Sequence, residues 1–134
     1  MNIWVNGCFD ILHTGHLKLF EYAKNLKNRS NHLIVGIDSD RRVKELKGND
    51  RPVNNENDRK YMLESLKPID EVVIYDTEDE MCGFISSYKI DYMVIGDDYK
   101  NKRVVGRENS KHDVIFYPKD QTSSTSIIEK IKKS

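Results

Sequence analysis

The sequence predicts an α/β fold: a single Rossmann-like domain with a five-stranded parallel sheet and helices on both faces. Short apolar runs of β type alternate with amphipathic runs of helical spacing, which is the pattern of repeated strand–helix–strand units. The segment "HLIVGID" contains a continuous apolar run, as expected for a strand that a parallel sheet buries on both faces. The chain has 134 residues, the size of one domain, so residues 1–134 are predicted to form a single domain.

The first half of the chain supplies two predicted strands and one helix. "NIWV" is a strand that ends at the following Asn-Gly pair, and residues 32–38 form the second strand. Between them, residues 15–26 carry apolar side chains at helical spacing, with Thr14 just ahead as the predicted N-cap. Residues 39–53 are polar and mostly basic, and they are predicted to form a loop.

The second half supplies three strands and three helices. Residues 55–66 are predicted to form a helix that stops before a Lys-Pro pair, since the residue ahead of a proline disfavours helical dihedrals. "EVVIY" is the third strand, and residues 77–88 form a helix that opens with a Thr-x-x-Glu capping box. "DYMVIG" and "DVIFYP" are the fourth and fifth strands. Ser123 or Ser124 then caps a terminal helix, "TSIIEKIKK".

Charge and cysteine content argue against several classes of protein. The 22 basic and 22 acidic residues cancel, so no overall field attracts nucleic acid or an anionic membrane. No apolar run is long enough to span a bilayer, and the amino terminus lacks the layout of a signal peptide. Cys8 and Cys82 have no CxxC partner, which argues against a disulfide framework or a zinc finger. We therefore expect a cytoplasmic protein with neither nucleic acid nor a membrane as partner.

Residues that follow the predicted strands are the candidates for a ligand site. In open α/β sheets, ligands bind beyond the carboxyl ends of the strands, where the strand order reverses. The candidate segments are residues 7–16, 38–47, 96–99 and 119–125, and these segments are also rich in chemically capable side chains. Fold and composition therefore indicate the same crevice.

The stretch "GCFDILHTGH", residues 7–16, contains two of the four histidines of the chain. His13 and His16 straddle the predicted start of the first helix, and Gly15 between them lets a ligand come close. A helix N-terminus presents unpaired N–H groups and a positive dipole end, which suit phosphate. Two imidazoles there would hold polyphosphate oxygens while charge builds on the phosphorus. Two alternatives stay open: a metal site, for which no third ligand is obvious, and a purely structural helix start.

Five ordered segments carry a resemblance to a known family. "GCFDILHTGH" fits the G-x-F-D-x-x-H-x-G-H signature of the cytidylyltransferase-like nucleotidyltransferases, and "HLKLFEYAK" resembles the first helix of that family. "KGNDRPVNNENDR", "VIGDDY" and "SSTSIIEKI" resemble later segments of the family and follow in the same order. The resemblance covers residues 2–131, which is nearly the whole chain.

The resemblance implies a reaction. Family members transfer a nucleoside monophosphate from a nucleoside triphosphate to a phosphorylated small-molecule acceptor and release pyrophosphate. Since the attacking phosphate oxygen is already an anion, the site needs cations and N–H donors more than a strong base. The resemblance also implies Mg²⁺ bound to the triphosphate, with no dedicated protein cage for it, and a homodimer.

Four residues are predicted by resemblance to be catalytic: His13, His16, Lys47 and Arg59. The family places a phosphate-binding lysine after the second strand, and Lys47 is preferred there over Lys44. Arg59 corresponds to a family arginine whose forked N–H groups suit pyrophosphate. The structural alternatives are a solvated lysine on a loop and an arginine on an exposed helix face.

The other predicted nucleotide-binding residues surround the same crevice. The backbone of the Gly-Cys-Phe segment would lie against the triphosphate, and Asp10 either caps the turn or contacts the ligand. The aspartate pair after the fourth strand would hold ribose, acceptor or Mg²⁺, and the Ser-Ser-Thr segment would receive phosphate, cap the last helix, or do both. These residues are Gly7, Cys8, Phe9, Asp10, Gly15, Lys44, Gly96, Asp97, Asp98, Ser123, Ser124 and Thr125.

The sequence resembles two branches of the family, and these branches use different substrates. "LKGNDRPVN", "VVGRE" and "DQTSSTSIIEKI" resemble the adenylyltransferase domain of ADP-heptose synthases, which uses ATP and a heptose 1-phosphate. "GDDY" instead resembles glycerol-3-phosphate cytidylyltransferase, which uses CTP. We expect AMP transfer to a sugar phosphate, with cytidylyl transfer to a polyol or sugar phosphate second. A nucleotide-binding regulator without turnover is the third alternative.

Overall fold

The strands and helices alternate along the chain. The computed structural model describes residues 1–96 and 102–117. The strands are β1 (Asn2–Gly7), β2 (His32–Asp38), β3 (Glu71–Tyr75), β4 (Tyr92–Gly96) and β5 (Ile115–Tyr117). The helices of four residues or more are α1 (Thr14–Lys24), α2 (Asp40–Lys47), α3 (Glu56–Glu64) and α4 (Glu78–Ser87).

The five strands form one parallel sheet in the order β3-β2-β1-β4-β5, which confirms the predicted sheet. From β1, the chain builds the sheet outwards through β2 and β3, and it then returns to the other side of β1 with β4. Strand order therefore reverses between β1 and β4, the place where such sheets bind ligands. The register aligns Asp38 with Tyr75 and Gly96 with Tyr117, so the carboxyl ends share one edge.

Helices cover both faces of the sheet, as predicted, because successive strand residues point to opposite faces. One face packs against α1 and α3, and the other packs against α4. The α1–α3 core includes Ile3, Val5, Leu33, Val35, Phe20 and Leu63. The α4 core includes Trp4, Ile34, Tyr75, Met81, Ile85 and Met93. Among the described helices, none has both the length and the apolar character needed to cross a bilayer.

The prediction of a loop over residues 39–53 is wrong for the first half of that segment, where the structure has α2. Ser39 caps this helix by accepting a hydrogen bond at Oγ from the Arg42 N–H, and the helix ends at Gly48 with φ of 105°. Val43 is the one buried residue of α2, so the apolar periodicity that reveals a helix is missing from its sequence. Its arginines pair with carboxylates on neighbouring segments, which the sequence does not display.

The N-cap of α1 is His13, not Thr14 as predicted. The Nδ1 of His13 accepts from the Gly15 N–H at 3.0 Å, and the Nδ1 of His16 accepts from the His13 N–H at 3.2 Å. The two imidazoles thus replace the Ser/Thr and Glu/Gln of an ordinary capping box. Thr77 caps α4 as predicted. The predicted terminal helix and its serine caps lie outside the described residues.

Candidate functional site

A cavity of about 390 Å³ lies at the carboxyl edge of the sheet, within the size range of small-molecule sites. All five strands contribute to its wall through residues at or near their carboxyl ends. These residues are Asn6, Gly7, Asp38, Tyr75, Gly96 and Tyr117. The cavity therefore occupies the crevice that the strand order predicts.

Most of the predicted site residues that the structure describes line this cavity. The lining members are Gly7, Cys8, Phe9, Asp10, His13, Gly15, His16, Lys47 and Gly96. Lys44 and Arg59 are described but are not part of the lining. Asp97, Asp98, Ser123, Ser124 and Thr125 lie outside the described residues.

The two histidines stack on each other at the start of α1, with ring centroids 3.8 Å apart. Because both Nδ1 atoms accept backbone N–H groups, the neutral rings carry their proton on Nε2. The Phe9 ring packs edge-on against the His16 ring, with the ring centroids 5.2 Å apart, and this contact fixes the plane of the imidazole. The cap therefore sets the tautomer of both rings, and it leaves Nε2–H as the donor of each. The structural and the catalytic interpretations of the pair are compatible.

The metal-site alternative for the histidines finds no support in the described part of the chain. No group of three or more His, Cys, Asp or Glu side chains comes together there in a way that would hold a metal ion.

Asp10 ties the loop that carries the histidines to the segment that follows α2. Its carboxylate is fully buried and accepts from the backbone N–H of Val53 at 2.5 Å and of Asn54 at 2.9 Å. The Arg51 Nε lies 3.4 Å from the same carboxylate. This geometry favours the turn-holding interpretation of Asp10 over direct contact with a ligand.

Arg59 is fully buried, and its guanidinium joins the carboxyl ends of β1 and β2. Nη1 donates to the carbonyl oxygens of Cys8 at 3.0 Å and Asp38 at 2.8 Å. Nε donates to the Asn54 carbonyl, and Nη2 pairs with Asp40 at 2.8 Å. A phosphate would have to displace these partners to bind here. Phosphate binding by Arg59 stays a prediction, and the contacts support a role in positioning the loop at Cys8.

The structure distinguishes the two candidate lysines by position. Both lysines are exposed in the last turn of α2, but Lys47 lines the cavity and Lys44 does not. Lys47 is also close enough to Cys8 to act on its titration. Burial raises the pKa of the Cys8 thiol above its usual value, and the charges of Lys47 and Arg59 oppose that rise. The Cys8 side chain is therefore a neutral thiol near pH 7, and not a ready nucleophile.

Several polar residues of the cavity wall were not predicted individually, among them Asn6, Asp38, Arg42, Tyr75 and Arg103. The Arg42 Nε donates to Asp38 Oδ1 at 2.9 Å, and the guanidinium lies 5.7 Å from the centre of the Tyr75 ring. Burial raises the pKa of Tyr75 well above its usual value, and the charge of Asp38 raises it further. The i, i+4 spacing of Asp38 and Arg42 is a signal only once α2 is recognised.

Comparisons with known proteins agree with this geometry. A sequence profile of the family described as cytidylyltransferase-like matches residues 4–130. The chain is 46% identical over 130 residues to bifunctional protein HldE of Campylobacter fetus, and 42% identical over 132 residues to HldE of Helicobacter pylori strain P12. These matches cover 97% and 98% of the chain but 28% of each relative, so the chain spans less than a third of the length of either relative.

Solved structures share the fold. A lipopolysaccharide core biosynthesis protein from Thermoplasma volcanium superposes with a TM-score of 0.70 at 21% identity, covering 90% of this chain and 98% of that chain. A protein of unknown function from Archaeoglobus fulgidus superposes with a TM-score of 0.68 at 19% identity, covering 92% and 94% respectively.

Proposed function

Because the chain belongs to the cytidylyltransferase-like family and is a nucleotidyltransferase, we propose that it transfers AMP from ATP to a sugar phosphate such as a heptose 1-phosphate. The observation that carries this proposal is the histidine pair, fixed by its cap at the N-terminus of α1 and facing the cavity at the switch point of the sheet. The HldE relatives are ADP-heptose synthases, matched over their adenylyltransferase-like region, which supports ATP and a heptose phosphate.

The reaction is an in-line displacement at the α-phosphorus of the nucleotide. A phosphate oxygen of the acceptor forms the new P–O bond, and the bond to the bridging oxygen of pyrophosphate breaks with its electron pair leaving on pyrophosphate. No proton has to be removed from the nucleophile, since the acceptor phosphate is already ionised. The protein therefore acts by bringing two anions together and by stabilising charge on the α-phosphate oxygens.

His13 and His16 are proposed to donate from Nε2–H to those oxygens in the transition state. Their Nδ1 atoms are held by backbone N–H groups, so the donors need no reorganisation when the charge develops. Lys47 is proposed to bind the triphosphate from the last turn of α2, and the positive end of the α1 dipole adds to the same field.

Cationic side chains on the cavity wall offset the charge of two phosphorylated substrates. Lys47 and Arg103 line the cavity, although the chain as a whole has no net charge. We propose that Mg²⁺ enters as part of the nucleotide substrate, bound to the triphosphate, because the described residues assemble no group of ligands for it.

The proposed setting is the cytoplasm, where nucleoside triphosphates are available, and the proposed assembly is a homodimer, as the family resemblance implies. Sedimentation velocity tests the assembly directly, since a monomer and a dimer of a 15.7 kDa chain separate clearly.

A second candidate function is cytidylyl transfer to glycerol 3-phosphate or another polyol phosphate. The segment "GDDY" favours it, because this segment resembles the corresponding element of glycerol-3-phosphate cytidylyltransferase. In that case the proposed roles of the histidines and Lys47 are unchanged, and only the base and the acceptor differ.

The deciding experiment measures pyrophosphate release from ATP, CTP, GTP and UTP in the presence of Mg²⁺. Each nucleotide is paired with a heptose 1-phosphate, with glycerol 3-phosphate and with a panel of other sugar phosphates. Release with ATP and a sugar 1-phosphate is the expected result, whereas release with CTP alone favours the second candidate. Bound nucleotide without release from any pair would support a regulator and contradict both transferase proposals.

A further inference from the structure

A polar cluster of Asn6, Asp38, Arg42 and Tyr75 forms one wall of the cavity, away from the histidines. Strand alternation directs Trp4 and Asn6 to the α4 face of the sheet, and parallel register places Asp38 beside Tyr75 on that face. Arg42 reaches over this end of the sheet from the first turn of α2. The proposed phosphate-binding residues do not include this polar cluster, so it is available for another part of a substrate.

The polar cluster is buried but open to the cavity. Asp38 is 8% exposed and Tyr75 is 2% exposed, yet both line the cavity wall. A buried carboxylate is costly unless it is paired and hydrogen-bonded, and here Arg42 and Tyr75 supply that support. Asn6 is held in turn, because its Oδ1 accepts from the Trp4 Nε1–H at 2.9 Å. The cluster is therefore preorganised, with its polar atoms fixed before any ligand arrives.

The described residues on the opposite side of the cavity have a different character. Near the ends of β4 and β5 the wall is formed mainly by Val94, Ile95, Val105 and Tyr117. A planar base gains from an apolar and aromatic wall, because stacking and dispersion do not require matched polar partners. A sugar needs hydrogen-bond partners for its hydroxyl groups, and the polar cluster offers a carboxylate, an amide and a phenol for them.

We infer that the polar cluster binds the hydroxyl groups of the acceptor, with Asp38 as the residue that accepts from them and Arg42 and Tyr75 as the residues that orient it. This inference rests on the proposed function and names its acceptor class: a sugar phosphate with free hydroxyls near the transferred phosphate.

A site of this kind rejects analogues that lack the hydroxyl it binds. A charge-assisted hydrogen bond to a carboxylate is stronger than one between neutral groups, and a deoxy analogue would leave Asp38 facing an apolar surface. Loss of one such hydroxyl is expected to lower kcat/KM by about tenfold or more.

The test compares Asp38→Asn with the wild type on a series of sugar 1-phosphates in which each hydroxyl in turn is replaced by hydrogen. Pyrophosphate release gives kcat/KM for every acceptor, and the KM of the nucleotide is measured in parallel. Asp76→Asn is the matched control, because Asp76 lies at the same edge of the sheet, pairs with Arg41 and is not part of the cavity lining.

The wild type and Asp76→Asn are expected to discriminate against at least one deoxy acceptor by about tenfold or more. In Asp38→Asn that discrimination is expected to fall to about threefold or less, with the KM of the nucleotide nearly unchanged. A merely structural Asp38 would instead lower the activity with all acceptors by one common factor, and this outcome would overturn the inference.

Two further outcomes are informative. If the wild type releases no pyrophosphate with any sugar phosphate, the proposed function fails and the inference fails with it. If circular dichroism shows that Asp38→Asn is unfolded, the same acceptor series is measured with Tyr75→Phe instead. This variant removes the hydroxyl that supports Asp38 and keeps the buried ring. Unchanged discrimination in Tyr75→Phe then overturns the inference.

Discussion

At the scale of single residues, the histidines of "HTGH" perform two tasks with different atoms. The Nδ1 atoms cap α1, and the Nε2 atoms are the proposed phosphate donors. Substitution by alanine would remove both tasks together, so a loss of activity in such a variant would not separate them. Substitutions that keep a capping acceptor but remove the imidazole separate the capping task from the catalytic one.

His13→Asn and His16→Gln keep a side chain that can accept the capping hydrogen bond. We expect each variant to change the free energy of unfolding by less than about 1 kcal/mol, because asparagine is a good N-cap and glutamine completes a capping box. We expect kcat to fall by about a hundredfold or more, the effect of removing a preorganised donor to the transition state. Urea denaturation and pyrophosphate release measure the two effects. Full activity in both variants would return the pair to a purely structural role.

Arg59 presents the opposite case, a predicted catalytic residue whose donors are directed to the protein itself. Replacing it by methionine removes four hydrogen bonds and leaves Asp40 and three backbone carbonyls without that partner. We expect Arg59→Met to lower the free energy of unfolding by about 3 kcal/mol or more. The exposed Arg29→Met is the control, with an expected change within about 0.5 kcal/mol. A stable but inactive Arg59→Met would favour direct binding of phosphate.

At the scale of elements, α2 decides which lysine reaches the cavity. The helix is the shortest of α1 to α4 and buries little apolar surface, so its place depends on its cap and on ion pairs with neighbouring segments. A helix turns by about 100° per residue, so Lys47, three residues after Lys44, points only about 60° away from it but lies almost one turn further along the helix axis. The side of α2 that faces the cavity carries Arg42, Leu46 and Lys47.

Lys47→Ala is expected to raise the KM of the nucleotide and to lower kcat/KM by about tenfold or more, because it removes a cation from the proposed phosphate site. Lys44→Ala, the same substitution one turn earlier on the same helix, is expected to leave both values near those of the wild type. Steady-state kinetics of the two variants checks the assignment. Equal losses would place both lysines on the substrate, and a loss in Lys44→Ala alone would reverse it.

Glycine has different roles in two elements of the same core. In β2, a Cβ on Gly36 would lie 2.3 Å from Cζ2 of the buried Trp4 ring, whereas a Cβ on Gly83 in α4 would meet nothing within 4 Å. We expect Gly36→Ala to destabilise the protein by about 1–3 kcal/mol through overpacking. Gly83→Ala is expected to stabilise it by about 0.5–1 kcal/mol, since alanine is the better helix former. Thermal melts of the two variants would contradict this account if the signs were reversed.

At the scale of the whole molecule, the cavity connects all five strands, so a ligand there stabilises the fold rather than one segment. A ligand at a hundred times its Kd stabilises the native state by about 2.7 kcal/mol. We expect ATP with Mg²⁺ to raise Tm by several degrees, and we expect Lys47→Ala to reduce this shift at equal ATP concentration. Differential scanning fluorimetry measures both effects. No shift with any nucleoside triphosphate would contradict a nucleotide site.

The sequence by itself determined the α/β class, the five parallel strands and the capped start of α4, and it predicted a site at the stretch from Gly7 to His16, residues of which line the cavity. These features depend on residues close together in the chain: apolar periodicity, capping spacing and a short motif. Local patterns of this kind can be recognised in a sequence without knowing which residues they contact in the folded protein.

Only the tertiary structure decided the existence of α2, the position of Lys47 on the cavity, the burial of Arg59 and the polar cluster around Asp38. Each depends on groups far apart in sequence, such as Arg59 with the carbonyl of Cys8, or Asp38 beside Tyr75 in the sheet register. Strand order and register bring these groups together, and an isolated sequence pattern does not encode which strand lies next to which. Ion pairs also depend on the tertiary structure: a basic run in a sequence is expected to face solvent until the carboxylates that lie opposite it are known.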